Sequence, residues 1–233
     1  MPTRSGRLAD AWIAFAVALA IVALTIPLFL NPWWVAFEQG RAQAGAWTGF
    51  AERDLRRATD SILADLVVGP PDFDVEVGGV PVLDERERAH MRDVRGVFIG
   101  FFAVAIAVAG SAAVVSARRH AADRQGDWQA VRAGALGLIA VLVVAGVVAL
   151  VAFDALFETF HRIFFPGGSY DFDPSTERLV QLFPFQFWQE TAIAVGTLAI
   201  VAAAAVAMVA HRRGATPVSS AVTAGAAAEG SRT

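Results

Sequence analysis

The alternation of apolar and polar stretches divides this chain before any single residue is considered. Four unbroken apolar runs, at about 11–30, 97–117, 133–153 and 188–210, each reach the roughly 20 residues that a helix needs to cross a bilayer. A long polar stretch, 31–96, separates the first two runs, and a shorter one, 154–187, separates the last two. The remaining polar pieces are residues 1–10, the link 118–132 and the tail 211–233. The pattern predicts an all-α membrane protein of four transmembrane helices, with 31–96 and 154–187 forming a small mixed extracytoplasmic cap.

Finer periodicity fills in that cap. Asn31-Pro32-Trp33-Trp34 ends the first run with a helix stop and an aromatic pair suited to the membrane interface. Phe50, Leu55, Ala58, Ile62 and Leu66 recur at helical spacing, predicting an amphipathic helix that Gly69-Pro70-Pro71 terminates. VEVGGVPVL reads as a short hairpin about Gly78-Gly79, with Pro81 confining one strand to an edge. Asp84 with Glu87 three residues on has the form of a capping box and opens a helix that carries His90 toward the second run. The short link 118–132 predicts that spans two and three are antiparallel neighbours. Asp173-Pro174 has the N-cap/N1 pattern of a helix running through STERLVQLF to Pro184, and Phe183, Phe185, Phe187 and Trp188 make an interfacial belt before span four. The Ala/Gly/Ser/Thr-rich tail from Gly214 is expected to be disordered.

Composition agrees with this layout: 56% of the 233 residues are apolar, mean hydropathy is +0.52, and 18% are charged, against about 25% in soluble domains. Every basic side chain other than histidine is Arg. Arg4 and Arg7 precede span one, Arg118, Arg119, Arg124 and Arg132 lie between spans two and three, and Arg212 and Arg213 follow span four. The positive-inside rule places those segments, and both chain ends, in the cytoplasm; the absence of Lys and the abundance of Ala suggest a GC-rich bacterial genome, so a bacterial cytoplasmic (inner) membrane is expected. Residues 32–93, with twelve acidic residues against seven Arg, fall outside. The first run is too long for a signal-peptide core and lacks a small-residue cleavage site, so it reads as a retained anchor. The absence of Cys excludes disulfides, thiol nucleophiles and Cys-ligated metals. No phosphate-binding Gly loop and no basic face beyond the Arg turns appear, which argues against nucleotide or nucleic-acid partners.

Two ionisable clusters stand where apolar runs meet water, positions at which such residues are costly to hold and a functional role is the default reading. Asp154, Glu158 and His161 in FDALFETFH share one helix face at i, i+4 and i+7. Glu87, His90 and Asp93 occupy ERAHMRDV. With the topology above, both clusters reach the outer surface, and His90 and His161 are expected to meet. Two chemistries fit. In one, a His of unperturbed pKa about 6.5 is a general base, a carboxylate fixes its tautomer, and the second His or Arg162 stabilises an oxyanion, with no cofactor. In the other, the repeated Glu-x-x-His (Glu87/His90 and Glu158/His161) ligates metal, with Glu38 or Glu190 completing the set; its place at the rim of the bundle puts this second. A third reading is a non-enzymatic membrane scaffold. Trp33, Trp34, Arg162 and Tyr170 are candidate contacts for a partly lipidic substrate and for membrane lipids, although Trp33, Trp34 and Trp188 also suit membrane anchoring. His120 and His211, beside Arg, read as interfacial cations.

NPWW after span one, ERAHMRDV before span two, FDALFETFHRIFF at the end of span three and FDPSTERLVQLFPFQFW before span four together resemble the bacterial four-span family that includes lipoprotein intramolecular transacylase (Lit). The resemblance covers about residues 11–210. It implies an acyltransferase that moves the sn-2 acyl chain of a lipoprotein's diacylglyceryl group to the amine of the same N-terminal Cys, giving the lyso-form lipoprotein. It also implies that His90 and His161 correspond to that family's two essential histidines. Two positions depart from the family's pattern: Tyr170 stands where an aromatic, often Trp, is common, and Phe185 where an acidic residue often follows Pro.

Overall fold

The computed structural model describes residues 4–119, 124–165 and 167–214. His120 and the tail beyond 214, both given expectations above, lie outside them. Among the described residues four helices are long and apolar enough to cross a membrane: α1 (Arg4–Thr25), α5 (Glu85–Ala117), α6 (Arg124–Phe164) and α8 (Phe185–Gly214). Four short helices, α2 (Pro32–Arg41), α3 (Ala44–Thr48), α4 (Glu52–Val67) and α7 (Arg178–Leu182), and a two-stranded hairpin of β1 (Glu76–Val77) and β2 (Val80–Pro81) gather at one end of the bundle.

The bundle is organised around α1. Ile13 and Ala16 pack with Val108 and Ala112 of α5, and Ile21 packs with Ala135 and Leu138 of α6 and Ala199 and Ala203 of α8. Small side chains dominate these contacts because, without water between helices, attraction comes from close van der Waals approach. Spans two and three are therefore not the side-by-side pair that their short link predicts. The link fixes their antiparallel direction, but α1 lies between them along the bundle, joined to α5 by Trp12 Nε1 donating to Ser111 Oγ at 3.0 Å. On its other side, α1 meets α6 where the carbonyl oxygen of Ala14 lies 2.2 Å from the point a Cβ on Gly134 would occupy. Beside the link, Arg119 pairs with Asp10 of α1 at 2.8 Å and Asp127 of α6 at 2.5 Å, tying three helices together.

Helix α6 is broken at Ala152 (φ −149°, ψ 43°), so its last stretch, from Phe153, leaves the span in a new direction. Gln189 of α8 donates to the Ala149 carbonyl beside the break, at 3.4 Å. No Pro or Gly announces this joint; it falls where the apolar run gives way to FDALFETFH.

The cap has its own core, in which Leu55, Ala58 and Ile62 of α4 meet Phe73, Leu83 and Leu182. Buried Gln39 of α2 donates both to Thr59 Oγ1 of α4 and to the Leu182 carbonyl of α7, each at 2.9 Å. Gly78 and Gly79 at the hairpin turn have φ of +62° and +79°, a conformation natural to glycine and required at both centres of a tight type I′ turn. Near Asp173-Pro174 the chain differs from expectation. Asp173 Oδ1 accepts from Ser175 N at 2.8 Å and closes a turn, and α7 begins only at Arg178. Glu177, which an earlier helix start would place inside the first turns, is instead extended, paired with Arg86 and bonded back to Asp173 N.

Cap and bundle are joined through α2 and α8. Trp34 Nε1 donates to Thr191 Oγ1 at 3.2 Å, and Arg41 pairs with Glu190 at 2.5 Å. Between them Glu38, 2% exposed, has an Oε2 without a donor that abuts the Glu190 carboxyl. Two acceptors in contact need a proton between them. Burial and then the neighbouring Glu190 raise the Glu38 carboxyl from 4.5 to about 7, with Arg41 opposing. A raised acid pKa means that the fold holds a proton which the unfolded chain releases, so the joint is strongest below about pH 4.5 and weakens as pH rises toward 7. Glu38→Gln, neutral throughout, is expected to abolish that decline. Melting temperatures of both proteins across pH 4.5 to 7.5 check it, and parallel curves would remove the shared-proton account.

Candidate active site

The site grows from the first turn of α5. The Asp84 carboxylate accepts from Glu87 N at 2.8 Å, while Glu87 Oε2 accepts from Asp84 N at 2.7 Å: a complete capping box. The other Glu87 oxygen accepts from Leu179 N of α7 at 2.6 Å. One turn later His90 emerges with its orientation set by both the cap and the helix.

Across from it, the segment of α6 beyond Ala152 presents His161. The two rings lie 6.1 Å apart, centroid to centroid, and 22° from parallel. Both are buried, at 5% and 9% exposure. Phe165 touches both, at 4.8 Å from His90 and 5.6 Å from His161. Phe172 closes over His90 at 5.4 Å, and Phe157, Phe160 and Tyr170 surround His161 at 4.1, 5.4 and 5.0 Å. Such walls exclude water and raise the strength of any electrostatic interaction within.

The ring nitrogens differ in their surroundings. His161 Nδ1 lies 2.7 Å from the Phe157 carbonyl. A carbonyl only accepts, so Nδ1 carries the proton and Nε2 presents a lone pair. His90 Nδ1 is buried with no partner among the described residues. An orphaned ring nitrogen beside a lone pair, in a dry aromatic chamber, suits proton transfer between groups of a bound substrate.

Arg86 holds the lid of this chamber. It pairs with Glu177, donates from Nη1 to the Asp171 carbonyl at 2.8 Å and stacks its guanidinium 4.6 Å from the centre of Phe172. Arg86→Gln loses the charge and the stacking that keep 170–172 over the histidines. The expected result is severalfold faster modification of His90 by diethylpyrocarbonate, read by peptide mass mapping; an unchanged rate would mean that Arg86 does not control access.

The other sequence-derived candidates divide. Tyr170 stands at His161, and Asp93 one turn beyond His90. Asp154 and Glu158 are exposed, and Glu158 pairs with Arg162 at 2.5 Å. The partner that orients His161 is thus a main-chain carbonyl where a carboxylate was expected; Asp154, Glu158 and Arg162 are exposed, whereas His161 on the same stretch of α6 is buried. Trp34 is a structural tie to α8, and Trp33 is 74% exposed and stacked parallel to Phe37. The paired Glu-x-x-His set does not fit a metal: both Glu87 oxygens are held by main-chain N–H groups, Glu158 is held by Arg162, and Glu38 and Glu190 meet each other at the α2–α8 joint. No group of three or more His, Asp or Glu among the described residues is arranged as a ligand set. The sequence motifs do not by themselves mark Phe157, Phe172 and Arg86 as site residues. Phe157 and Phe165 lie four residues on either side of His161, a helical spacing that could have marked them; Arg86 and Phe172 meet only through the tertiary fold.

The sequence pattern of lipoprotein intramolecular transacylase Lit matches residues 11–188. The chain belongs to the Lit family. No curated protein matches it. Among solved structures it is similar to the membrane-integral Lit from Bacillus cereus, with a TM-score of 0.74 at 18% identity over 90% of this chain and 95% of the other. Two further structures of that protein, with one histidine changed to arginine or to alanine, match with TM-scores of 0.70 at 16% identity over 89% of this chain and 91% and 93% of theirs. At such identities these likenesses speak for the fold. Family membership makes the chain a multi-pass membrane enzyme, an intramolecular transacylase of lipoproteins.

Proposed function

We propose that this Lit-family enzyme transfers the sn-2 acyl chain of a diacylglyceryl-modified lipoprotein to the α-amine of the same N-terminal Cys, with His161 as general base and His90 as its partner. The observation that carries the reading is the facing pair of buried histidines, one with a free lone pair and the other with an orphaned nitrogen. An α-ammonium, pKa about 8, must lose a proton, which passes to solvent, before it attacks an ester. His161 Nε2 then takes a second proton from the neutral amine as its nitrogen adds to the sn-2 carbonyl carbon. His90 then meets the developing oxyanion or the departing oxygen. Collapse breaks the acyl C–O bond and leaves an amide, and the proton held on imidazole passes to the glyceryl oxygen. Atoms and charge balance without a cofactor. The aromatic enclosure favours aminolysis, since water that could hydrolyse the ester is kept out.

The arrangement of Arg supports the side of the membrane. Arg7, Arg118, Arg119, Arg212 and Arg213 lie at the bundle end opposite the histidines. The positive-inside rule makes that end cytoplasmic, and the histidines then face the outer leaflet of a bacterial cytoplasmic membrane, where lipoprotein lipid anchors lie. The test is mass spectrometry of lipoprotein N-terminal peptides from a host without its own N-acylating enzymes. Lyso-form peptides are expected when the chain is expressed. Diacylglyceryl peptides with a free amine, despite confirmed membrane insertion, would end this reading.

A further inference from the structure

Beside the histidine chamber, with Phe165 as the shared wall, lies a cleft of about 510 Å³. Arg92, Asp93, Gly96 and Val97 of α5 form one side, and Phe164, Phe165, Gly167 and Ser169 the other. It is therefore polar at its outer end and apolar where α5 enters the span. Phe165 separates it from both histidines by the thickness of one ring.

The charges around it are unevenly satisfied. Arg86 is committed to Glu177, Arg88 to Asp74 and Glu85, Arg92 to Glu85 at 2.7 Å, and Arg95 to the carbonyls of Asp65 and Gly69. Every Arg on this turn-by-turn stretch of α5 has a partner, and none of them takes Asp93. The cleft thus carries an exposed carboxylate that none of these Arg side chains pairs with, Arg92 on the same lining being held by Glu85, and it lies three residues from His90 on the same helix. The ligand that complements it is an amphiphile with a positive end and an apolar tail.

We propose that this cleft is the subsite for the amino-terminal end of the substrate: Asp93 pairs with the α-ammonium, and Val97, Phe164 and Phe165 hold the acyl chain that is not transferred. The assignment rests on the transacylase reading above. It gives the ammonium a charged holding position one helical turn from His90, which faces the base His161, and it gives a reason for a free amine to be preferred over other lipids. Asp93 is here a substrate-binding residue; proton removal stays with the histidine pair.

Gly96 provides a clean way to close the cleft, because a Cβ there would meet nothing within 4 Å and the side chain of Gly96→Leu would extend into open space. The experiment measures binding of a diacylglyceryl-type peptide in which both esters are replaced by ethers, so that no chemistry occurs, to the full-length protein in lipid nanodiscs. The peptide is used with a free and with an acetylated amine. Wild type is expected to prefer the free amine on the order of tenfold, the effect of one charge-assisted contact. Asp93→Asn should bring the two forms to near parity, and Gly96→Leu should weaken both while leaving the melting temperature unchanged. An undiminished preference in Asp93→Asn together with undiminished binding in Gly96→Leu overturns the subsite. Acyl transfer on the ester peptide is measured alongside. Transfer by wild type with both variants unaffected removes the subsite and keeps the transacylase; the amine preference without any transfer keeps the subsite and removes the transacylase.

Discussion

Acyl transfer by the His161→Ala protein is expected to fall by about 10²–10⁴-fold, the range that general bases contribute. The direction of the His161 Nε2 lone pair is fixed by the 2.7 Å contact between Nδ1 and the Phe157 carbonyl. Alanine leaves the substrate amine without a proton acceptor and opens a void among Phe157, Phe165 and Tyr170. His161→Gln separates these effects: its side-chain nitrogen can still donate to the carbonyl and its volume is similar, but it has no basic nitrogen. Both variants should lose transfer alike, while only Ala should lower the melting temperature. Single-turnover rates with a synthetic diacylglyceryl peptide provide the measurement. If His90 and His161 act as one unit, the double His→Ala variant should be no slower than the worse single one. A His161→Gln enzyme within tenfold of wild type would assign the base elsewhere.

The largest effect on stability is expected from Gly134→Ala. A Cβ at this position would lie 2.2 Å from the Ala14 carbonyl oxygen and 2.8 Å from its carbonyl carbon and Cα. These are backbone atoms of α1, which cannot rotate aside, so α1 and α6 must separate along a seam that also holds Ile21, Ala135 and Leu138. In an isolated helix the same change would gain about 1 kcal/mol of propensity. Overpacking should outweigh that, for a net loss of about 2–3 kcal/mol. Gly137, one turn further along α6, has nothing within 4 Å of its would-be Cβ. Gly137→Ala is therefore the matched control and should be neutral or slightly stabilising. Thermal unfolding of both proteins in the same detergent gives the comparison; equal melting temperatures would mean that the helices yield freely.

Both predictions draw on features of unequal visibility in the sequence. The four spans are legible because a bilayer imposes length and apolarity on each helix independently of its neighbours. The start of α5 is legible because a capping box is a local device, complete within Asp84–Glu87. That His90 and His161 meet follows from topology, since one precedes a span and the other follows the next antiparallel one. Lateral packing is different. The wedging of α1 between α5 and α6 depends on the missing side chain of Gly134, and one glycine among 20 carries no mark of the neighbour it admits. The partner of His161 was also hidden: acidic residues at i−3 and i−7 attract attention, whereas a carbonyl at i−4 has no residue type. Glu87 and Glu158 illustrate the same limit, for two identical Glu-x-x-His motifs place one carboxylate in a buried cap and the other on an exposed Arg162.

The two histidines ride on helices of different construction. Helix α5 runs unbroken from Glu85 to Ala117, a rod of about 50 Å at 1.5 Å per residue, whereas α6 is jointed at Ala152 just before the segment that carries His161. When the hydrocarbon thickness of the surrounding membrane changes, helices respond by tilting or bending. A rod can only tilt, and it carries His90 with it as a lever; a jointed helix takes up the difference at its joint. A change in bilayer thickness is therefore expected to alter the spacing between the two rings, and with it the alignment of the two imidazoles.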